Sequence, residues 1–354
     1  MQSQQTAGRV SDYKITRLPN YQIPMNGVLI IDKPGGLTSH DVVNRVRRIL
    51  QERSVGHLGT LDPLATGVLP LVIGNLTRLA QFYTTSEKSY EGVICFGFAT
   101  DTYDAEGEPA APAQPVTLDL EQVVTLAAGF RGVIEQMPPP FSAKKIHGVP
   151  AYKLARKHKE VVLQPVQIEI KEFEILGVAG DRVRFRARVA SGTYMRSVAH
   201  EMGQKLGCGA HLESLRRTAV AEFSVADAHT LEEVYAAANT GRTNPKVAVV
   251  AEAETETKGR DAEAPQPKQS AAPRIIPHAL ENLFVHPRML LPQFPCVTAD
   301  EANTLRIRSG RSVNLPELSR ARQVKVFSGQ KNLIAIATRV AGTLFHPRIV
   351  LQAD

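Results

Sequence analysis

The chain has 354 residues, 43% of them hydrophobic and 22% charged, enough apolar material for a substantial core in more than one domain. Its net charge of +7 suits a polyanionic partner, although an excess of that size also fits a mildly basic surface. Three scattered cysteines without a C-x-x-C pair exclude a zinc knuckle and a disulfide framework, and they fit a reducing cytoplasm; no apolar run reaches the ~20 residues of a membrane span.

Residues 1–24 read as a flexible polar arm without a signal-peptide core. Ordered sequence begins near Gly27, where Val28-Leu29-Ile30-Ile31 predicts a buried strand. Asp32-Lys33-Pro34-Gly35-Gly36 then turns the chain, and Ser39 is the expected N-cap of a helix. Val42, Val43, Val46, Ile49 and Leu50 give that helix its apolar stripe, with Arg45, Arg47 and Arg48 largely off it. Further helices are expected at 119–129 and 193–207. Val166, Ile168 and Ile170 alternate as in a strand. Residues 182–188 alternate more sharply, with Val183, Phe185 and Ala187 opposite Arg182, Arg184, Arg186 and Arg188. That is the pattern of a half-buried antiparallel strand, and with the helices it predicts an α+β architecture.

From 239 to 275 the composition shifts to Ala, Glu, Thr, Pro and Lys, the signature of a disordered linker. Six basic and five acidic residues fall there, so the basic excess belongs to the segments that fold. Short β-like runs then return at 324–327, 333–337 and 349–351 and predict a small β-rich domain over 276–354.

Phosphate-binding, zincin and nucleophile-elbow motifs are missing. The segment Gly56 to Pro70 (GHLGTLDPLATGVLP) stands out, because it sets a single acid, Asp62, among glycines, prolines and small or apolar residues. It reads as a shaped loop packed against the core at both ends. By residue type alone Asp62 reads as a cap of a turn or helix, since Asp-Pro often starts turns.

This segment resembles the catalytic loop of the TruB family, bacterial pseudouridine synthases that act on the T-loop uridine of tRNA. Four other segments resemble family motifs in the same order: 28–43 (VLIIDKPGGLTSHDVV), Lys88-Ser89-Tyr90, Ser191 to Arg196 (SGTYMR), and Gly207 to Leu212 with Leu215 to Thr218. The resemblance covers roughly residues 25–238. It implies a pseudouridine synthase-type catalytic domain with a central mixed, mainly antiparallel sheet. Residues from about 290 resemble, more loosely, a PUA-type RNA-binding domain.

The resemblance makes Asp62 the essential carboxylate, acting as nucleophile or base. It makes Arg196 the partner that keeps Asp62 ionised through a bidentate fork, and Tyr90 the ring that stacks on the target uracil. His57 is expected to replace stacking lost when the base is flipped out, and Leu215 and Tyr194 to contact substrate. Residues 137–160, with Lys144 and Lys145 among basic and aromatic side chains, are expected to grip RNA. Each of these residues also has an ordinary structural reading: helix arginine, core aromatic, turn histidine, solvated basic loop. Isomerisation oxidises nothing and donates no group, so neither cofactor nor metal is expected. The expected partner is the tRNA T arm, with the protein a monomer lacking a membrane or obligate protein partner. Two competing readings are a non-catalytic tRNA-binding or folding protein and a guide-RNA-dependent synthase. A metal-dependent nuclease would need clustered acids, and none is evident.

Overall fold

A computed structural model describes residues 25–142, 163–240, 277–317 and 319–351, together with the backbone of 145–146 and 149–150. The expected arm at 1–24, most of the RNA-gripping segment including Lys144, and all but the first two residues of the linker lie outside the described residues.

In chain order the elements are β1 (Gly27–Lys33), α1 (Ser39–Leu50), β2 (Val55–His57), β3 (Thr66–Ile73), β4 (Lys88–Phe96), α2 (Leu120–Ala128) and β5 (Gly132–Gln136). The two-residue strands β6 (Lys145–Ile146) and β7 (Val149–Pro150) follow, then β8 (Val166–Ala179), β9 (Arg182–Val189), α3 (Met195–Leu206), β10 (Ala210–Val220), β11 (Phe223–Ser224) and α4 (Leu231–Asn239). The C-terminal part holds α5 (His278–Glu281), β12 (Cys296–Ala299), α6 (Glu301–Arg308), β13 (Val313–Asn314), β14 (Gln323–Ser328), β15 (Asn332–Ala341) and β16 (Leu344–Val350).

The main sheet runs β1-β3-β10-β4-β9-β8-β5, with β2 on β3 and β11 on β10. Its pairings are antiparallel except β3 with β10, which is the mixed, mainly antiparallel sheet expected. A second sheet, β12-β14-β15-β16-β13, supplies the β-rich C-terminal part, so the α+β class holds.

The apolar run of β1 is buried on both faces. Leu29 and Ile31 join the core beneath α1 to α4, with Val42, Phe185 and Met202. Val28 and Ile30 face the other way, onto Leu291, Phe327, Leu333 and Ile336 of the C-terminal part. A strand buried on two sides loses polar alternation, which is why it reads as a continuous apolar run. Polar ties cross the same contact. The Tyr83 hydroxyl donates to Glu222 Oε1 at 2.6 Å, and the Leu291 N–H donates to the same oxygen at 2.9 Å.

Strand β9 buries Val183, Phe185 and Ala187 as its alternation predicts. Its outward arginines meet glutamates across the sheet: Arg182 with Glu213 at 2.8 Å, Arg186 with Glu91 at 3.0 Å, and Arg188 with Glu172 at 2.6 Å. Solvent screens exposed pairs of this kind, so they add little to stability, but they neutralise most of the strand's charge locally.

One expectation is corrected at α1. The N-cap is Thr38, whose Oγ1 accepts the Asp41 N–H at 3.1 Å while Asp41 Oδ2 accepts the Thr38 N–H at 2.9 Å. Ser39 is already helical, and its hydroxyl is engaged elsewhere.

Candidate active site

The loop from Leu58 to Ala65 joins β2 to β3 and is held from three directions. Ser39 Oγ accepts the Leu61 N–H at 2.8 Å and donates to the Leu61 carbonyl at 3.0 Å. Lys33, fully buried, donates from Nζ to the carbonyls of Leu37 (2.6 Å), Pro34 (2.9 Å) and Pro63 (3.2 Å). Arg217, also fully buried, reaches across from β10 to the carbonyls of Val68 (2.8 Å), Gly59 (3.0 Å) and Thr60 (3.2 Å). A loop of this length has few internal hydrogen bonds of its own, so buried side chains satisfy its carbonyls and fix its shape.

On this frame Asp62 projects into a cavity of about 240 Å³, whose walls include Thr60, Lys88, Tyr90, Tyr194, Arg196 and Leu215. Asp62 does not act as a side-chain cap: its turn closes through the backbone, from the Ala65 N–H to the Asp62 carbonyl at 3.1 Å. Its Oδ2 lies 2.9 Å from Arg196 Nε. The Arg196 side chain is 6% exposed and that of Asp62 40%, so the cation is part of the wall and the carboxylate faces the cavity.

Arg196 sits in the first turn of α3. Its terminal nitrogens donate to the carbonyls of Thr102 and Phe141, each at 3.0 Å, and Nη1 lies 3.6 Å from Asp104 Oδ2. The expected bidentate fork onto Asp62 is therefore corrected. The Nη groups grip main chain, and Asp62 meets Nε side-on, too far out of line for a hydrogen bond. That geometry fixes the guanidinium independently of Asp62 and leaves both carboxylate oxygens able to turn toward a ligand.

Tyr90 comes from β4, opposite Arg217 of β10 in register. Its ring is buried at the cavity wall, beside Arg217. Burial holds the Arg217 guanidinium below its usual range, opposed by the attraction of Tyr90 and Asp62. Lys88, two residues before Tyr90 and on the same face, also lines the cavity; burial, then the like charge of Arg217, lower it to about 8. Tyr194 lines the cavity with its hydroxyl pushed up by burial, and its backbone is clasped by Gln136.

Five residues singled out from sequence, Asp62, Tyr90, Arg196, Leu215 and Tyr194, thus share one cavity. His57 stands apart at the end of β2, where its Nδ1 accepts the Gly59 N–H at 3.3 Å; it shapes the loop and is not among the cavity walls. Lys144 lies outside the described residues, and of Lys145 only the backbone, in β6, is described. Ser39, Lys33, Lys88, Asp104 and Arg217 were not picked out as site residues from sequence. All but Asp104 sit in motif segments, but the contacts that bring Ser39, Asp104 and Arg217 to the site reach Leu61, Arg196 and the carbonyls of Gly59, Thr60 and Val68, far away in the chain. Among the described residues no group of three or more His, Cys, Asp or Glu could hold a metal ion.

Comparison with known proteins shows the family of the chain. Residues 47–195 match the model of the TruB family pseudouridylate synthase N-terminal domain, and 196–251 that of the tRNA pseudouridylate synthase B C-terminal domain. The chain is 44% identical over 330 residues to tRNA pseudouridine synthase B of Solibacter usitatus, covering 92% of this chain and all of that protein. It is 45% identical over 217 residues to the Aquifex aeolicus protein of the same name, covering 61% of this chain and 75% of that one. In fold it is similar to a chain of a Cbf5-Nop10-Gar1 complex, with a TM-score of 0.63 at 22% identity over 92% of this chain and 85% of that one.

Proposed function

The chain belongs to the TruB family of pseudouridylate synthases, and from that premise we propose that it isomerises uridine in tRNA to pseudouridine, acting on the T-loop uridine at position 55. The observation that carries the reading is Asp62, held on a rigid loop beside buried Arg196 and facing a cavity walled by Tyr90. At about 240 Å³ the cavity is below the ~300–1,000 Å³ of drug-sized sites. It has room for a flipped base.

In this reading the C1′–N1 bond breaks, the uracil turns, C5 joins C1′, C5 loses its proton and N1 gains one. Base and sugar keep their oxidation level overall, so no redox partner is required. Asp62 supplies the carboxylate, as nucleophile or base. Arg196 keeps a positive charge beside it without blocking it. Tyr90 offers its ring for stacking on the flipped base. The proposed partner is the T arm of tRNA, bound by a cytoplasmic monomer.

The test is tritium release from C5-labelled uridine in an unmodified tRNA transcript, with EDTA present, comparing wild type with Asp62→Asn. Release by wild type alone supports the reading. No release by a wild-type protein that binds the transcript favours a tRNA-binding or folding role instead. Activity of the purified protein on that transcript without added guide RNA separates a stand-alone enzyme from a guide-dependent one.

A further inference from the structure

Positive charge in the Asp62 cavity is distributed unevenly. Arg196 has two carboxylates, Asp62 at 2.9 Å and Asp104 at 3.6 Å. Lys88 and Arg217 have no ion pair among the described residues. Arg217 directs its guanidinium nitrogens at three backbone carbonyls, which satisfy its hydrogen bonds but not its charge. Lys88 makes one hydrogen bond among the described residues, to the Ser86 carbonyl at 2.7 Å, although an ammonium carries three donors.

Two adjacent cations in a partly dry site repel each other and lose hydration, so the arrangement is costly unless an anion joins it. Strand alternation puts Lys88 on the same face as Tyr90, and both line the cavity with Asp62. Asp62 attracts Arg217 but makes its ion pair with Arg196, and Lys88 is left without a carboxylate partner among the described residues. A uridine entering base-first against Tyr90 leaves its sugar-phosphate at the mouth, within the field of the unpaired cations.

We infer that Lys88, backed by the buried charge of Arg217, forms an anion subsite that takes a phosphodiester flanking the flipped uridine. This rests on the proposed function and adds a binding residue to it. Its physical content is that the substrate completes a charge balance that the protein alone leaves open. The lowered proton affinity of Lys88 has the same origin, burial first and then the like charge of Arg217. The tether to Ser86 holds the ammonium in place and leaves donors for a phosphate oxygen.

The experiment measures tRNA affinity against salt, and single-turnover rate at saturating tRNA, for full-length wild type, Lys88→Met and Lys88→Arg. Lys88→Met keeps an apolar stem, and its thermal unfolding is recorded alongside. The expected result is affinity weaker by about tenfold in Lys88→Met, the scale of one charge-assisted hydrogen bond. The slope of log affinity against log salt should flatten by ~0.7–0.9, and Lys88→Arg should restore both.

A second arm uses tRNA carrying a single uncharged methylphosphonate on either side of the target nucleotide. On one of these substrates wild type and Lys88→Met should bind alike, because the group that Lys88 recognises is gone. A full wild-type advantage on both neutral substrates overturns the proposal, as does an unchanged affinity and salt slope in Lys88→Met. A loss confined to the single-turnover rate also overturns it and gives Lys88 a chemical role. Should wild type bind tRNA yet release no tritium, the functional reading fails, while the affinity arms still decide the subsite.

Discussion

The Ser39 hydroxyl holds both main-chain polar groups of Leu61, accepting its N–H at 2.8 Å and donating to its carbonyl at 3.0 Å. One hydroxyl thereby fastens the first turn of α1 to the residue before Asp62. Ser39 is 2% exposed, so water does not replace it readily.

Ser39→Ala should therefore act on stability and turnover together. It leaves a buried N–H and carbonyl without their partner, at a cost of ~1–3 kcal/mol. Urea unfolding reads the first effect. Single-turnover tritium release at saturating tRNA reads the second, as a slower step from a looser Asp62. A variant as stable as wild type removes the argument that this bond pins the loop.

Arg196→Lys keeps a positive charge but cannot combine two directional hydrogen bonds to main chain with a charge beside Asp62. An ammonium reaching Asp62 has to release the carbonyls of Thr102 and Phe141, and one reaching those carbonyls has to withdraw from Asp62. Misplacement of about an ångström in a reacting group can cost ~100-fold in rate. The expected outcome is a fall of that order in single-turnover rate, with the dissociation constant for tRNA within about threefold of wild type. Near-normal turnover would show that charge alone suffices.

Much of this site was legible because short segments carried it. The alternation of β9 reports burial directly, since successive side chains face opposite sides; an acid among glycines and prolines marked the Asp62 loop as unusual, but by residue type it read as a cap, and only the family resemblance made it the essential carboxylate. The misreadings came from competition for a single side chain. Ser39 has the right chemistry for a cap, and so does its neighbour; Thr38 takes the cap because the Ser39 hydroxyl meets Leu61, 22 residues away. Arg217 carries no local signal either, because the carbonyls it serves lie 149 to 158 residues earlier. The two-sided burial of β1 could be read as a strand, but not that its second face meets Leu291 and Phe327.

Glu222 ties the main sheet to the C-terminal part by accepting from the Tyr83 hydroxyl and the Leu291 N–H with one oxygen. The Tyr83 hydroxyl is held well above its ordinary range by burial and by the adjacent Glu222 charge, so it remains a donor. Glu222→Ala removes a charged acceptor from two donors, which corresponds to ~1.5–3 kcal/mol for a bond of this type. Glu222→Gln keeps an acceptor oxygen and should recover part of the loss. Urea unfolding of both variants orders them as wild type, Gln, Ala. Equal stabilities would assign the contact between the two parts to apolar packing alone.

Lys88 gives two pH effects of opposite sign in one window. Its folded-state value is lowered from 10.5 to about 8. Between these values the unfolded chain binds more protons at this position than the folded chain, so its contribution to stability rises with pH. Bound phosphate acts in reverse, because an anion favours the ammonium and raises its proton affinity. The affinity contributed by Lys88 is complete below about 8 and is lost as pH climbs through the raised value of the complex. Wild-type tRNA binding should weaken across that range relative to Lys88→Arg, whose guanidinium stays charged. Over the same range, the stability of wild type relative to Lys88→Met should increase. An affinity difference from Lys88→Arg that stays flat with pH would mean that the ammonium does not face the bound phosphate.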